Sequence, residues 1–197
     1  LAGKLGLRWL AGQALAPLLI LVGLGATALV AAGPSWLIPV CVAAPLFAIE
    51  LWYDIRSRGR RLVPELCGAV GMGAVAAAIV VAGDGSTALA AAAWLVLAAR
   101  SVAAIPFIRT QIGRLHRGEI SVRSSDLFQL LAVAIAVVAV VVESDLLLGS
   151  IAVVVIAGLH LAWLRRSPVP PAKVLGLRQM ALGIALVAMA AIGARLA

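Results

Sequence analysis

The stretch that decides the fold is residues 123–166, RSSDLFQLLAVAIAVVAVVVESDLLLGSIAVVVIAGLHLAWLRR. It holds two apolar runs, 126–142 and 146–164, which meet at the turn Glu143-Ser144-Asp145 and have arginines at their outer ends. A bilayer core about 30 Å thick needs about 20 helical residues per span, and backbone polar groups in lipid must be bonded within the segment. The stretch therefore predicts two transmembrane helices joined as a tight antiparallel hairpin.

The same pattern continues along the whole chain. Hydrophobic residues make up 64% of the sequence and charged residues 12%, against about 45–50% and about 25% in soluble domains. A water-soluble globule is therefore excluded, and we predict an all-α polytopic transmembrane helix bundle that forms a single domain over residues 1–197. The seven predicted spans are 11–32, 35–53, 64–82, 87–108, 126–142, 146–164 and 175–194.

The basic residues are placed unevenly. Fourteen of the sixteen Lys and Arg residues lie ahead of the first span or around every second gap after it, and the intervening gaps hold acidic charges but no basic residue. Short cytoplasmic loops are enriched in Lys and Arg, so we predict a multi-pass protein of the cell inner membrane with its N-terminus inside and its C-terminus outside. The expected partners are the lipid bilayer and anionic lipid at the inner basic loops. The net charge of +8 is thus not interpreted as nucleic-acid binding.

Arg100 stands apart, because it lies inside a predicted span. If that span ends near Ile108, Arg100 is about 12 Å deeper at 1.5 Å per residue. An arginine at that depth costs several kcal/mol unless it is paired, hydrated or able to reach the headgroups. Three interpretations stay open: Arg100 lines a functional cavity, its long side chain reaches the inner headgroups, or the span ends early near Ala104, given Pro106.

Other polar side chains lie at a similar inner depth and could line one cavity open to the cytoplasm. The alternative is structural for each of them. Glu65 and Asp126 suit helix N-termini, Glu50 and Asp54 can neutralise neighbouring arginines, and His160 can sit at the membrane interface. The candidate cavity residues are Glu50, Asp54, Glu65, Arg100, Asp126, Gln129, His160 and Gln179.

Several chemistries find no support in the sequence. There is no Walker loop, no H-E-x-x-H and no G-x-S-x-G motif. A haem is not expected, because His160 alone within the spans cannot supply two axial ligands. No metal or other cofactor is expected either, since Glu50 and Asp54 match a D-x-x-x-D metal–diphosphate motif only weakly. Whether the protein is an enzyme is left open.

Three segments carry a family resemblance. They are LWYDIR (51–56) continuing to RRLVPEL (60–66), WLVLAARS (94–101) with IPFIR (105–109), and PAKVLGLRQ (171–179). Together they resemble the YwiC-like family of bacterial integral membrane proteins, over most of the chain from about Glu50 onward. The resemblance implies a Gly- and His-containing N-terminal segment with further apolar spans. Because residue 1 is Leu, we expect an N-terminally truncated part of a protein of about nine spans.

A remote likeness to UbiA-type prenyltransferases suggests another function. Those enzymes hold magnesium-diphosphate with aspartate-rich inner loops, because phosphate oxygens need a hard cation clamped by carboxylates. The corresponding loop, about 109–125, offers Glu119 and four arginines. Three hypotheses follow: a binding or transport-type bundle with a cytoplasm-facing polar cavity, a divergent prenyltransferase acting on an isoprenoid diphosphate, and a structural or assembly partner of a membrane complex.

Overall fold

A computed structural model describes residues 2–118, 120–166 and 168–196, with side chains from Leu15 onward except that of Arg117. The side chains of Lys4 and Arg8 and the loop residue Glu119 lie outside this description. Over the described ranges the chain forms seven α-helices, and a 3-10 turn, Ser144–Leu146, precedes the sixth. The helices are α1 (Ala2–Ala32), α2 (Leu37–Ile55), α3 (Leu62–Ala82), α4 (Thr87–Arg117), α5 (Arg123–Val142), α6 (Leu147–Leu164) and α7 (Ala172–Leu196).

All seven helices are long and apolar enough to cross a membrane. The prediction of an all-α polytopic bundle with seven spans is therefore confirmed. Large aliphatic side chains cover its outside: Val30 is 90% exposed and Val141 81% exposed. Small side chains fill the interior, where Ala99, Ala103 and Ala132 are fully buried. This distribution is typical of a bundle in lipid, where small residues let helix backbones approach closely.

The fourth helix extends beyond the predicted span. It does not end near Ile108 or near Ala104, because α4 continues through Pro106 to Arg117, and where its membrane-spanning part ends stays a prediction. Its 31 residues span about 46 Å at 1.5 Å per residue, so α4 exceeds a bilayer core of about 30 Å. Proline removes one backbone donor, and neighbouring helices in a membrane protein make that loss tolerable. Arg100 therefore sits near the middle of a continuous helix.

Helix α4 is the centre of the bundle and packs against α3, α5, α6 and α7. Helix α2 packs on α3, and α5, α6 and α7 pack in sequence order. Helix α1 differs: its residues 15–32 bury no side chain. Among the described residues no other helix packs extensively against it. The bundle that positions the polar residues is therefore formed by α2 to α7.

Three basic connections meet at one end of the bundle, which we call the basic end. Arg109, near the end of α4, donates to the carbonyl of Arg60 before α3 at 2.9 Å. Arg114 donates to the carbonyl of Leu164 at the end of α6 at 2.7 Å. Arg165 pairs with Asp126 at the start of α5. That this end faces the cytoplasm stays a prediction.

Candidate functional site

Four of the predicted polar residues form one chain of hydrogen bonds, which we call the polar belt. Arg100 on α4 donates through Nη2 to the side-chain Oε1 of Gln179 on α7 at 2.7 Å. Gln179 Nε2 lies 2.9 Å from Nε2 of His160 on α6. His160 Nδ1 lies 3.2 Å from Oε1 of Gln129 on α5, and Gln129 Nε2 donates to the Ala103 carbonyl at 2.9 Å. The polar belt thus starts and ends on α4 and ties together four helices.

The two ends of the polar belt fix the direction of every bond in it. A guanidinium only donates, so Gln179 must present its oxygen to Arg100 and its NH2 to His160. His160 Nε2 then has to accept, which leaves the proton on Nδ1, where it is donated to Gln129 Oε1. At the other end the Ala103 carbonyl only accepts, which requires the same orientation of Gln129. His160 is therefore neutral, with its proton on Nδ1, whenever the polar belt is complete.

The middle of the polar belt lies inside the bundle. His160 and Gln129 are both fully buried, and so is Phe107. The imidazole of His160 stacks on the Phe107 ring, with 4.0 Å between ring centroids and 7° between planes. In a low-dielectric interior a satisfied hydrogen bond is stronger than in water, and an unsatisfied polar group costs more. The stacking on Phe107 also fixes the plane in which the two ring nitrogens point at their glutamine partners.

Two of the four predicted carboxylates are paired with arginines at the basic end. Glu65 forms an ion pair with Arg109 at 2.8 Å. Asp126 pairs with Arg165 at 3.1 Å. None of the described carboxylates bonds Arg100, whose acceptors are the neutral side chain and backbone carbonyl of Gln179.

The other two predicted carboxylates lie close to glycines. Glu50 lies directly over Gly68 of α3, and Asp54 lies directly over Gly59 in the loop after α2. A methyl group at either glycine would collide with the carboxylate above it. Neither carboxylate forms a hydrogen bond or an ion pair within the described ranges, so neither belongs to the polar belt. The hypothesis that all eight predicted residues serve one cavity stays a prediction.

An open cleft of about 810 Å³ lies at the basic end along α4. We call it the basic cleft. Isoleucines form much of its wall, and its polar groups include Glu65 and Gln179 from the predicted set. Gln179 also belongs to the polar belt, so the two features meet at this residue. The basic cleft is lined by Arg60, Glu65, Ala104, Ile105, Ile108, Arg109, Ile112, Gly113, His116, Ile120 and Gln179.

Two polar contacts between α4 and α6 were not predicted, because the helix that carries them was expected to end near Ile108. Gln111 donates to the carbonyl of Trp163 at 3.3 Å. Arg114 donates to the carbonyls of Leu164 at 2.7 Å and Arg166 at 3.3 Å. These bonds satisfy carbonyls at the C-terminus of α6, where a cation is also favoured by the helix dipole. Their spacing from Phe107, four and seven residues, was the signal that they share its helix face.

Metal binding finds no ready site in the ranges that the structure describes. Within them, no group of three or more His, Cys, Asp or Glu residues is arranged to hold a metal ion. What the arrangement offers instead is a set of fixed hydrogen-bond donors and acceptors, with arginines at two depths. Such a set can bind and orient a charged group.

The fold and the polar belt define a multi-pass membrane protein with a buried polar network. Within that class, residues 7–81 match the family model described as YwiC-like protein. The resemblance is therefore confirmed over most of α1, all of α2 and nearly all of α3. Of the segments that carried it, 51–66 lies inside the match, whereas 94–109 and 171–179 lie outside it.

The remaining comparisons are negative. No curated protein matches this chain, and no solved structure does. The remote likeness to UbiA-type prenyltransferases is not borne out by any of the comparisons.

Proposed function

We propose that this protein is a binding or transport-type membrane bundle whose basic cleft takes an anionic amphiphile, meaning an acidic group on an apolar tail. The observation that carries the proposal is the pairing of two surfaces within one cleft. Arg60 and Arg109 stand beside a wall that includes Ile105, Ile108 and Ile112. Binding sites commonly combine such an apolar wall with a few well-placed polar groups.

The arginines are suited to an acidic head group. Arg60 is exposed, and its guanidinium makes no hydrogen bond within the described part of the chain. Arg109 is held at the cleft by Glu65 and by the Arg60 carbonyl. A guanidinium binds carboxylate, phosphate or sulfonate oxygens through paired N–H donors. Arg60 therefore supplies the first contact, and Arg109 joins it when the ligand competes with Glu65.

The orientation follows from the charge pattern. Basic loops of polytopic proteins remain on the cytoplasmic side, so the basic cleft opens toward the cytoplasm of a bacterial cell. The cytoplasmic leaflet also carries anionic lipids, which juxtamembrane arginines attract. The ligand is thus either a lipid of that leaflet or a dissolved organic anion, and both present the same acidic group and apolar tail.

Calorimetric titration of the purified protein in maltoside micelles tests this proposal. Octanesulfonate should bind, and octyl glucoside, which has the same tail and no charge, should not. Each of the substitutions Arg60→Gln and Arg109→Gln should weaken binding roughly tenfold, which corresponds to about 1.4 kcal/mol. Arg58→Gln is the matched control, because Arg58 belongs to the same loop and does not line the cleft.

Two outcomes decide the matter. Equal binding of the charged and neutral amphiphiles, or equal binding by wild type and the Arg60→Gln/Arg109→Gln variant, would refute the proposed function.

A further experiment identifies the source of the ligand. Native mass spectrometry from nanodiscs of phosphatidylglycerol and phosphatidylcholine shows retained phosphatidylglycerol if the ligand is a lipid. If the ligand is a dissolved anion, no lipid is retained although octanesulfonate still binds.

A further inference from the structure

The geometry points to a second anion site, deeper than the mouth of the basic cleft, in which Arg100 binds the anion while His160 takes up one proton. This inference rests on the proposed function for its source of anions, which enter through the basic cleft. It adds a site and a coupling that the cleft alone does not provide.

Arg100 is a cation without a counter-charge among the described residues. Both acceptors of its Nη2 are neutral atoms of Gln179. Its Nε is buried and has no hydrogen-bond partner within the described chain. A charged side chain at this depth is costly unless it is paired. An anion at the guanidinium supplies both the missing charge and an acceptor.

The route to Arg100 passes Gln179. Gln179 lines the basic cleft and, at the same time, holds the guanidinium of Arg100. Ala104, one helical turn after Arg100 on α4, also lines the cleft. Arg100 itself is only half-buried. An anion that enters the cleft therefore reaches Arg100 by replacing the side-chain oxygen of Gln179.

The displaced amide links the anion to a proton. Once Gln179 Oε1 no longer faces Arg100, the amide can rotate and present this oxygen to Nε2 of His160. Nε2 must then donate, so its lone pair takes a proton from water at the basic end and His160 becomes an imidazolium. Its other bond, from Nδ1 to Gln129 Oε1, is unchanged. One anion and one proton enter together, and the net charge inside the bundle stays the same.

The groups around His160 make the proton depend on the anion. From α4, the ring faces Phe107 and, through Gln179, the cation Arg100. From α5 it faces neutral Gln129. No described carboxylate contacts the ring. An imidazolium and an unneutralised Arg100 would repel each other, so protonation is favoured only when an anion lies between them.

More distant charges are already paired or shielded. Asp126 lies nearly one turn before Gln129 on α5 and is paired with Arg165. From α7, Arg178 lies over the face of the Trp163 ring, 5.1 Å from its centroid, rather than against His160. Asp126 is therefore not available as a counter-charge for a His160 imidazolium, and the cation Arg178 lies against Trp163.

Calorimetry of octanesulfonate binding in two buffers of different ionisation enthalpy counts the protons. The sulfonate stays ionised, so any proton is bound by the protein. The count is made at saturating sulfonate in a His116→Gln background, because the chain has 2 histidines. His116 lines the cleft, and any loss of affinity from replacing it leaves the proton count at saturation unchanged. Between about pH 5 and pH 8, we expect up to one proton taken up per protein molecule, because only the deeper anion site is coupled to His160. Affinity should rise as pH falls, by up to about tenfold per pH unit, because the bound state holds the extra proton.

The variants assign the two roles. Adding His160→Gln should abolish proton uptake, and adding Arg100→Gln should abolish both the uptake and the pH dependence. Binding without proton uptake in the His116→Gln background overturns this inference and leaves the proposed function standing. Absence of any octanesulfonate binding by wild type overturns the proposed function itself. The proton count in the His116→Gln background needs no substitution in the polar belt, so it decides the question even if the belt variants fail to fold.

Discussion

Arg100 and Gln179 are joined by two hydrogen bonds from a single nitrogen: Nη2 of Arg100 donates to the backbone carbonyl of Gln179 at 2.9 Å and to its Oε1 at 2.7 Å. The two residues lie on α4 and α7, at the centre and the edge of the bundle. An arginine within a membrane span pairs with an acidic residue or with backbone carbonyls. Here the partner is neutral, and this leads to the first prediction.

Replacing Arg100 with Met should destabilise the protein only modestly. Removing one member of a buried ion pair costs about 3–5 kcal/mol, because it leaves an uncompensated charge. Arg100→Met leaves instead a neutral acceptor on Gln179, which costs about 1–3 kcal/mol and is offset by removal of the buried cation. Unfolding in micelles should show a change below about 2 kcal/mol. A loss in the range of a broken ion pair would mean that Arg100 has an acidic partner.

Replacing His160 with Leu should be more damaging. The substitution leaves Oε1 of Gln129 and Nε2 of Gln179 without their partner, and the Gln129 side chain is fully buried. Each unsatisfied buried group costs about 1–3 kcal/mol, so we expect a loss of about 2–4 kcal/mol in the free energy of unfolding. His116→Leu is the control, because His116 is exposed and surface changes stay within about 0.5 kcal/mol. Similar losses for the two variants would contradict the polar belt.

Replacing Glu65 with Gln should raise the affinity for octanesulfonate. Glu65 holds Arg109 in an ion pair whose side chains are 35% and 41% exposed, and exposed pairs contribute only about 0–1 kcal/mol to stability. Stability should hardly change, while Arg109 becomes free to bind the sulfonate. The gain should shrink as salt is added. Asp126→Asn serves as control, since Asp126 pairs with Arg165 away from the basic cleft. An unchanged affinity for Glu65→Gln would remove Arg109 from the site.

Two glycines of α6 should respond in opposite directions to alanine. A methyl group at Gly149 would lie 2.9 Å from Cβ and 3.2 Å from Cα of Ala190 on α7. Gly149→Ala should therefore force α6 and α7 apart at a cost of about 1–3 kcal/mol. Gly158 has open space around it, so Gly158→Ala should stabilise the helix by about 0.5–1 kcal/mol. Unfolding in micelles measures both, and a neutral Gly149→Ala would show that the two helices are not in contact there.

Apolar run length and charge placement were enough to predict the seven helices. The end of α4 was not predictable in the same way, since Pro106 and the basic residues after it resemble a helix end. Arg114 and Gln111 continue the helix because they find carbonyl partners at the end of α6. Those partners depend on which helices are neighbours, and hydropathy carries no information about neighbours in the plane of the membrane.

The candidate site, too, was predictable from the sequence only in part. Depth alone placed Arg100, Gln129, His160 and Gln179 at one level, and the structure joins these four. Depth also grouped Glu65 with them, although this carboxylate binds Arg109. Which carboxylate meets which arginine depends on lateral helix order and on side-chain reach. The lateral order of the helices is known only once the helices have packed, and a single sequence does not state it.

The most direct test of the polar belt is the tautomer of His160. Nitrogen NMR of the His116→Gln variant labelled with 15N-histidine reports the protonation of each ring nitrogen of His160 separately. In the absence of added anion we predict a neutral ring with the proton on Nδ1 and a bare Nε2, the form that Arg100 imposes through Gln179. A neutral ring protonated on Nε2, or an imidazolium at neutral pH without anion, would contradict the polar belt and the coupling built on it.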